Sequence, residues 1–77
     1  MPTVKSKKTN VYIGSQIRAA RLERRVSQTE LGGVIGISFQ QVQKYEKGSN
    51  RISAGALFEL AEFFDKPVQW FFPAQKR

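Results

Sequence analysis

The 77-residue chain contains no cysteine and no histidine. Without cysteine it can form neither a disulfide nor a thiolate metal site, and without histidine it lacks the commonest general acid or base and the commonest zinc ligand. Its six carboxylates form no obvious pair in an apolar setting. The composition therefore argues against an enzyme, and it gives no indication of a metal, a cofactor or a small-molecule ligand.

Long apolar runs are also missing. The longest covers only a few residues, which is too short to span a bilayer. Residues 1–10 carry lysines with no apolar stretch after them, so they do not resemble a signal peptide. We therefore expect a cytoplasmic protein that has no membrane partner.

What the chain has in excess is positive charge. Thirteen Lys and Arg residues stand against six Asp and Glu residues, which gives a formal net charge of +7. Such an excess on a small domain favours a polyanionic partner, and nucleic acid is the leading candidate.

Hydrophobic periodicity and capping residues divide the chain into five predicted helices and show no strand pattern. The predicted helices cover approximately residues 11–25, 28–35, 39–47, 54–64 and 68–72. We predict an all-α bundle over residues 11–72, with a flexible basic arm over residues 1–10 and a short tail over residues 73–77. The arm, which contains Lys5, Lys7 and Lys8, is either a solvated tail or a segment that lies along DNA phosphates.

The second and third predicted helices carry an ordered spacing of apolar residues and glycine. Leu31 and Ile35 lie four positions apart on the second helix, and Gly36 supplies the turn after it. Val42 and Tyr45 lie three positions apart on the third helix. This pattern joins two helices at a steep angle through a short turn, which is the geometry of a helix-turn-helix.

The same region carries a family resemblance. It resembles the helix-turn-helix of the phage-repressor/Cro and xenobiotic-response-element (XRE) regulators, over about residues 11–72. The matching positions are Ser27-Gln28-Thr29-Glu30-Leu31, Gly32, Ile35, Gly36, Ile37, Val42, Lys44-Tyr45-Glu46-Lys47-Gly48, Leu60-Ala61 and Trp70. Residues 38–46 further resemble alphaproteobacterial members of the family. The resemblance implies a five-helix, lambda-repressor-like bundle and a sequence-specific transcriptional regulator, most simply a repressor.

In this family the third helix enters the major groove of double-stranded DNA. Since Val42 and Tyr45 must face the core, other side chains of the helix are free to read bases. Glutamine can bond to adenine and lysine to guanine, although the same face could be plain solvated surface. The predicted base readers are Phe39, Gln40, Gln43 and Lys44. The family often has a polar reader where this chain has Phe39, which would contact a thymine methyl or pack against the second helix.

Other residues would position the domain on phosphates without reading the sequence. The resemblance assigns this role to the residue that opens the second helix and to the loop after the third. The predicted phosphate contacts are Gln28, Ser38, Gln41, Lys47, Asn50 and Arg51. Arg21 and Glu46 resemble a family ion pair between the first and third helices, which would relieve the cost of a lone charge on the buried stripe.

Three aromatic residues, Trp70, Phe71 and Phe72, follow one another near the end of the chain. Trp70 matches a core position of the family, while Phe71 or Phe72 could form a two-fold contact. The alternative is that all three rings close the core. A homodimer would place two reading helices about one turn of DNA apart.

Two other functions compete with DNA-binding regulation. The first is a protein-interaction module, such as an antitoxin or the N-terminal part of a longer regulator. The second is an RNA-binding basic protein, which ranks last because readers of single-stranded RNA usually display aromatic side chains on a sheet or loop.

Overall fold

The computed structural model describes residues 4–74, with side chains from residue 7 onward. This part of the chain forms four α-helices and one 3₁₀ helix, and it contains no strand. The α-helices are α1 (Val4–Glu23), α2 (Gln28–Ile35), α3 (Phe39–Lys47) and α4 (Ala54–Phe63), and the 3₁₀ helix covers Val68–Phe71. None of these helices is long and apolar enough to cross a membrane.

The all-α class and the bounds of α2 and α3 agree with the sequence prediction, but the fifth predicted helix is a single 3₁₀ turn. Pro67, in an extended conformation, precedes it, and Phe72 after it is extended as well. Pro73 follows directly, and a residue before proline is disfavoured in the helical region. The segment between the two prolines is therefore too short for an α-helix.

The first helix differs more from its prediction. It begins at Val4, so the predicted flexible arm is helical over residues 4–10, and that part of the prediction is wrong. No proline or glycine lies between Val4 and Gly14, so no residue interrupts the helix there. The apolar side chains that α1 buries further along the chain stabilise the whole helix. The lysine side chains at positions 7 and 8 are exposed, while residues 1–3 and the Lys5 side chain lie outside the described part.

The core lies where α1, α2, α3, α4 and the 3₁₀ helix meet. It contains apolar stripes from α1 and from α4 with its C-terminal residue, together with one residue each from α2, α3 and the 3₁₀ helix. The buried apolar residues are Ile13, Ile17, Ala20, Leu31, Val42, Leu57, Leu60, Ala61, Phe64 and Phe71. Both α1 and α4 bury apolar side chains on one face only, so each helix leaves an opposite face in contact with solvent.

Serine caps define where the middle helices start. Ser27, Ser38 and Ser53 precede α2, α3 and α4, and the hydroxyl of each accepts a hydrogen bond from a backbone N–H in the first turn. At α2 Ser27 and Glu30 form a capping box, because the Ser27 N–H also donates to the Glu30 carboxylate over 2.8 Å. Hydrogen bonding to the carboxylate from the Ser27 backbone N–H, and secondarily from the Ser27 side chain, holds the pKa of Glu30 below its ordinary value of 4.5.

The first and third helices approach each other closely at Gly14. A Cβ atom there would collide with the backbone carbonyl oxygen of Tyr45 and would lie 2.7 Å from that of Glu46. Glycine is therefore required at this position for the observed packing of α1 against α3. This contact sets the position of α3 relative to the rest of the bundle.

Candidate nucleic-acid interface

The joint between α2 and α3 is a short turn with a defined backbone. Gly36 ends α2 in the left-handed region, at φ 74°, which glycine adopts without steric cost. The N–H of Ile37 then donates to the carbonyl oxygen of Gly32 over 2.9 Å. Ser38 caps α3 immediately afterwards. This turn fixes the angle between the two helices, as a helix-turn-helix requires.

The third helix buries little of its surface. Only Val42 and Glu46 are buried, and Tyr45 is half-buried. The four predicted base readers all lie on the exposed part of the helix: Phe39, Gln40, Gln43 and Lys44. Phe39 is 43% exposed, so part of its ring is accessible to an external partner. The helix therefore presents amide, ammonium and aromatic groups to solvent on one continuous surface, which we call the α3 outer face.

A buried ion pair holds α3 in place. The Arg21 guanidinium donates to both oxygens of the Glu46 carboxylate, over 2.6 and 3.1 Å, and a third bond runs from Arg21 to the carbonyl oxygen of Val26. The Arg21 and Glu46 side chains are only 11% and 4% exposed. The predicted pair is therefore present, and its two-bond geometry fixes the orientation of α3 against α1.

Gln28 joins this network. Its side-chain amide donates to the Glu46 carboxylate over 3.1 Å, so one of its two amide hydrogens is already engaged. The predicted phosphate contact of Gln28 therefore depends on its remaining amide hydrogen and on its backbone N–H at the start of α2, where the helix dipole favours an anion. The contact to Glu46 ties the beginning of α2 to the end of α3.

The other predicted phosphate contacts lie around α3. Ser38 and Gln41 are joined at the start of the helix, where the Ser38 hydroxyl accepts from the Gln41 N–H over 3.2 Å. The Asn50 amide donates to the side chain of Gln41 over 3.4 Å, which ties the following loop back to the helix. Lys47 and Arg51 are exposed, and within residues 7–74 neither has a carboxylate partner. Both cations therefore remain available to an external anion.

The aromatic cluster near the chain end separates into three different environments. Phe71 is fully buried, so its prediction as a dimer contact is wrong; the ring packs into the core, edge-on to Trp70 at 5.0 Å between centroids. Trp70 is half-buried, its carbonyl oxygen accepts from the Gln16 amide over 2.9 Å, and the Lys66 ammonium lies 4.2 Å from its ring centre. Phe72 is 40% exposed and remains the accessible ring.

Sequence reasoning missed one cation close to the α3 outer face. Arg18 is exposed on α1 and lines a notch of about 140 Å³ between α1, α2 and α3. The predicted DNA contacts do not include this residue. The available signal was its spacing from Arg21, since residues three positions apart lie on neighbouring parts of a helix surface.

The comparisons with known proteins agree with this geometry. A family model described as helix-turn-helix matches residues 17–71, and the chain belongs to that family. Its relatives include the HTH-type transcriptional regulator y4aM of Sinorhizobium fredii, which is 44% identical over 68 residues. That alignment covers 88% of this chain and 48% of the relative. The chain thus spans about half the length of the relative.

Solved structures share the fold. The DNA-binding domain of BldD superposes with a TM-score of 0.76 at 27% identity, covering 88% of this chain and 99% of that domain. The P22 c2 repressor, crystallised with a synthetic operator, gives a TM-score of 0.74 at 21% identity, covering 82% of this chain and 96% of the repressor. The phage-repressor resemblance that the sequence indicates is therefore confirmed at the level of the fold.

Proposed function

We propose that this domain binds double-stranded DNA in a sequence-specific manner as a non-enzymatic, cytoplasmic transcriptional regulator, most simply a repressor. The observation that carries the proposal is the α3 outer face: a short helix whose inner side is fixed by a buried ion pair and whose outer side exposes glutamine and lysine. A helix of this kind fits the major groove, which is about 12 Å wide.

Base reading is assigned to the outer side chains of α3. Gln40 and Gln43 can each bond to adenine through both ends of the amide, and Lys44 can donate to guanine. Phe39 opens the helix and offers an apolar ring, which suits a thymine methyl group. The four residues thereby provide both hydrogen-bonding and apolar selectivity along a helix of nine residues.

Phosphate contacts are assigned to residues that flank this face. Lys47 and Arg51 supply charge from the end of α3 and the loop after it, while Asn50 and Gln41 supply amides. Ser38 and Gln28 lie at the starts of α3 and α2, where free backbone N–H groups favour anions. These contacts would orient the domain on the duplex irrespective of base sequence.

A homodimer is proposed through Phe72, with Val68 beside it. Both side chains are about 40% exposed; Val68 begins the 3₁₀ helix and Phe72 follows its end. Because a single helix-turn-helix reads few base pairs, two copies would provide a longer site. Sedimentation of the wild type and of Phe72→Ser tests this: a dimer that the substitution converts to monomer supports the contact, and an unchanged distribution contradicts it.

The principal experiment is selection of a bound site from random duplexes, followed by affinity measurements at several salt concentrations. A regulator should bind its selected site about 10³-fold or more tightly than random duplex. Gln40→Ala and Lys44→Ala should each lose about 1–3 kcal/mol of discrimination against the wrong base. Arg51→Ala should weaken all sequences alike and reduce the salt slope by about one.

Gln69→Ala is the matched control for Gln40→Ala, because Gln69 is an exposed glutamine on the 3₁₀ helix, away from α3. It should retain the full preference for the selected site. If Gln40→Ala and Lys44→Ala both retain wild-type affinity and preference, the reading face is wrongly assigned. A domain that shows only weak binding erased by salt would instead favour the protein-interaction module, such as an antitoxin.

A further inference from the structure

A notch at the junction of α1, α2 and α3 borders the surface that the sequence analysis assigned to DNA, and it adds Arg18 of α1, which that assignment does not include. It has a volume of about 140 Å³. The lining residues come from all three helices: Arg18, Gln28, Gln43, Glu46 and Lys47. Gln43 belongs to the α3 outer face, so the notch is continuous with the proposed reading surface.

The notch contains two cations that the fold leaves without partners. Arg18 and Lys47 are both exposed, and the two ion pairs among residues 7–74 involve neither of them. They approach the notch from different helices, Arg18 from α1 and Lys47 from the end of α3. An anion placed there would therefore meet positive charge from two sides.

The one carboxylate of the notch does not oppose this. Glu46 is buried, and its two oxygens accept hydrogen bonds from Arg21 and Gln28. Its negative charge is balanced by the Arg21 guanidinium at 2.6 Å. The notch as a whole is consequently cationic, with Arg18 and Lys47 contributing charge that the protein does not neutralise.

We infer that this notch seats a backbone phosphate of duplex DNA, with Arg18 as its main cationic contact. The inference rests on the proposed function and extends it, since it adds α1 to the DNA-binding surface. Guanidinium geometry suits a phosphate, because two parallel N–H groups can bond to two of its oxygens. The contact would lie beside Gln43 and would fix how deeply α3 enters the groove.

The first test compares the salt dependence of binding to a random-sequence duplex for Arg18→Gln and Lys66→Gln. Both variants lose one positive charge, but Lys66 does not line the notch; it lies between α4 and the 3₁₀ helix, where it pairs with Glu23 and contacts the Trp70 ring. Arg18→Gln should reduce the slope of log K against log salt by about 0.9, as expected for one lost phosphate contact, while Lys66→Gln should leave it near the wild-type value. Equal slopes in the two variants would overturn the inference.

The second test locates the phosphate. Each phosphate of the selected duplex is replaced in turn by a neutral methylphosphonate, and the affinities of wild type and Arg18→Gln are compared. At one position the replacement should weaken the wild type but cause little further loss in Arg18→Gln. Additive losses at every position would contradict a phosphate in the notch.

Three outcomes separate this inference from its alternatives. If wild type binds duplex DNA while Arg18→Gln behaves like Lys66→Gln, the notch is wrongly assigned and the proposed function stands. If wild type does not bind duplex DNA at all, both fail. If inorganic phosphate raises the melting temperature of the wild type but not of Arg18→Gln, and the DNA slopes are equal, the notch takes a small free anion and the DNA assignment is overturned.

Discussion

The third and fourth helices are built alike and differ in what they show to solvent. Each begins after a serine whose hydroxyl caps the first turn, and their lengths are nine and ten residues. The α3 outer face carries amides and cations, whereas the exposed face of α4 carries Phe58, Glu59 and Glu62. Three of the chain's six carboxylates lie at positions 59, 62 and 65, in α4 or just after it. Phosphate would be repelled from that side.

The two helices are also held by different forces. The inner side of α4 buries three apolar residues, Leu57, Leu60 and Ala61, whereas α3 buries one apolar residue and one charged one, Val42 and Glu46. The third helix therefore depends more on directional bonds and on the close approach at Gly14 than on apolar area. Substitutions at these bonds and at Gly14 should therefore destabilise the protein.

The largest effect is expected from Arg21→Met. It leaves the Glu46 carboxylate buried without its cation, so the free energy of unfolding should fall by about 3–5 kcal/mol in urea denaturation. Arg21→Met/Glu46→Leu should recover most of this loss, because no unpaired charge remains. If the urea midpoint of Arg21→Met equals that of the wild type, α3 does not depend on the ion pair.

Gly14→Ala should come next. The added methyl group would meet the backbone of Tyr45 and Glu46, which cannot move aside as a flexible side chain would, so the loss should be about 1–3 kcal/mol or more. Gly33→Ala is the control, since a methyl group there meets nothing within 4 Å and should stabilise the helix by about 0.5–1 kcal/mol. Equal shifts in the two unfolding midpoints would exclude a tight α1–α3 contact.

A matched pair of cap substitutions compares α3 and α4 directly. Ser38→Ala and Ser53→Ala each remove one hydroxyl acceptor from a first turn, so each should lower the free energy of unfolding by about 1 kcal/mol. Affinity for the selected duplex, measured well below both melting temperatures, should fall only for Ser38→Ala. A comparable loss of affinity in Ser53→Ala would place part of the interface on α4.

The smallest effect concerns Glu30. Since its pKa is lowered in the folded state, its ionised form adds stability that is present above its ordinary pKa of 4.5 and is lost as the pH falls through the lower folded value. Glu30→Gln should therefore be less stable than wild type near neutral pH, and the difference should shrink below pH 4.5. Melting temperatures recorded between pH 3 and 7 test this; a constant difference would contradict it.

Much of this fold follows from local patterns in the sequence. The capping box at Ser27 and the glycine at position 36 define α2 and the turn, and apolar spacing defines the buried sides of α1 and α4. These features depend on residues a few positions apart, so they are readable without a structure. The start of α1 was misplaced because helix extension toward an N-terminus lacks such a local signal.

The site was only partly predictable for the same reason. The exposed positions of α3 follow from which residues must be buried. The Arg21–Glu46 pair follows from the family resemblance, which agrees with the presence of a charge on an apolar stripe. Two other features depend on how helices far apart in the sequence pack together. They are the hydrogen bond from Gln28 to Glu46 and the position of Arg18 at the notch. The order of Trp70, Phe71 and Phe72 likewise does not indicate which ring turns inward.

The most direct measurement of the central claim is an NMR titration of the isotope-labelled protein with its selected duplex. If α3 enters the groove, the backbone amides of residues 39–47 and the side-chain amides of Gln40 and Gln43 should shift strongly, while the backbone amides of Phe58, Glu59 and Glu62 should stay nearly unchanged. Strong shifts along α4, with the α3 amides unaffected, would show that DNA meets the opposite side of the domain and would contradict the account.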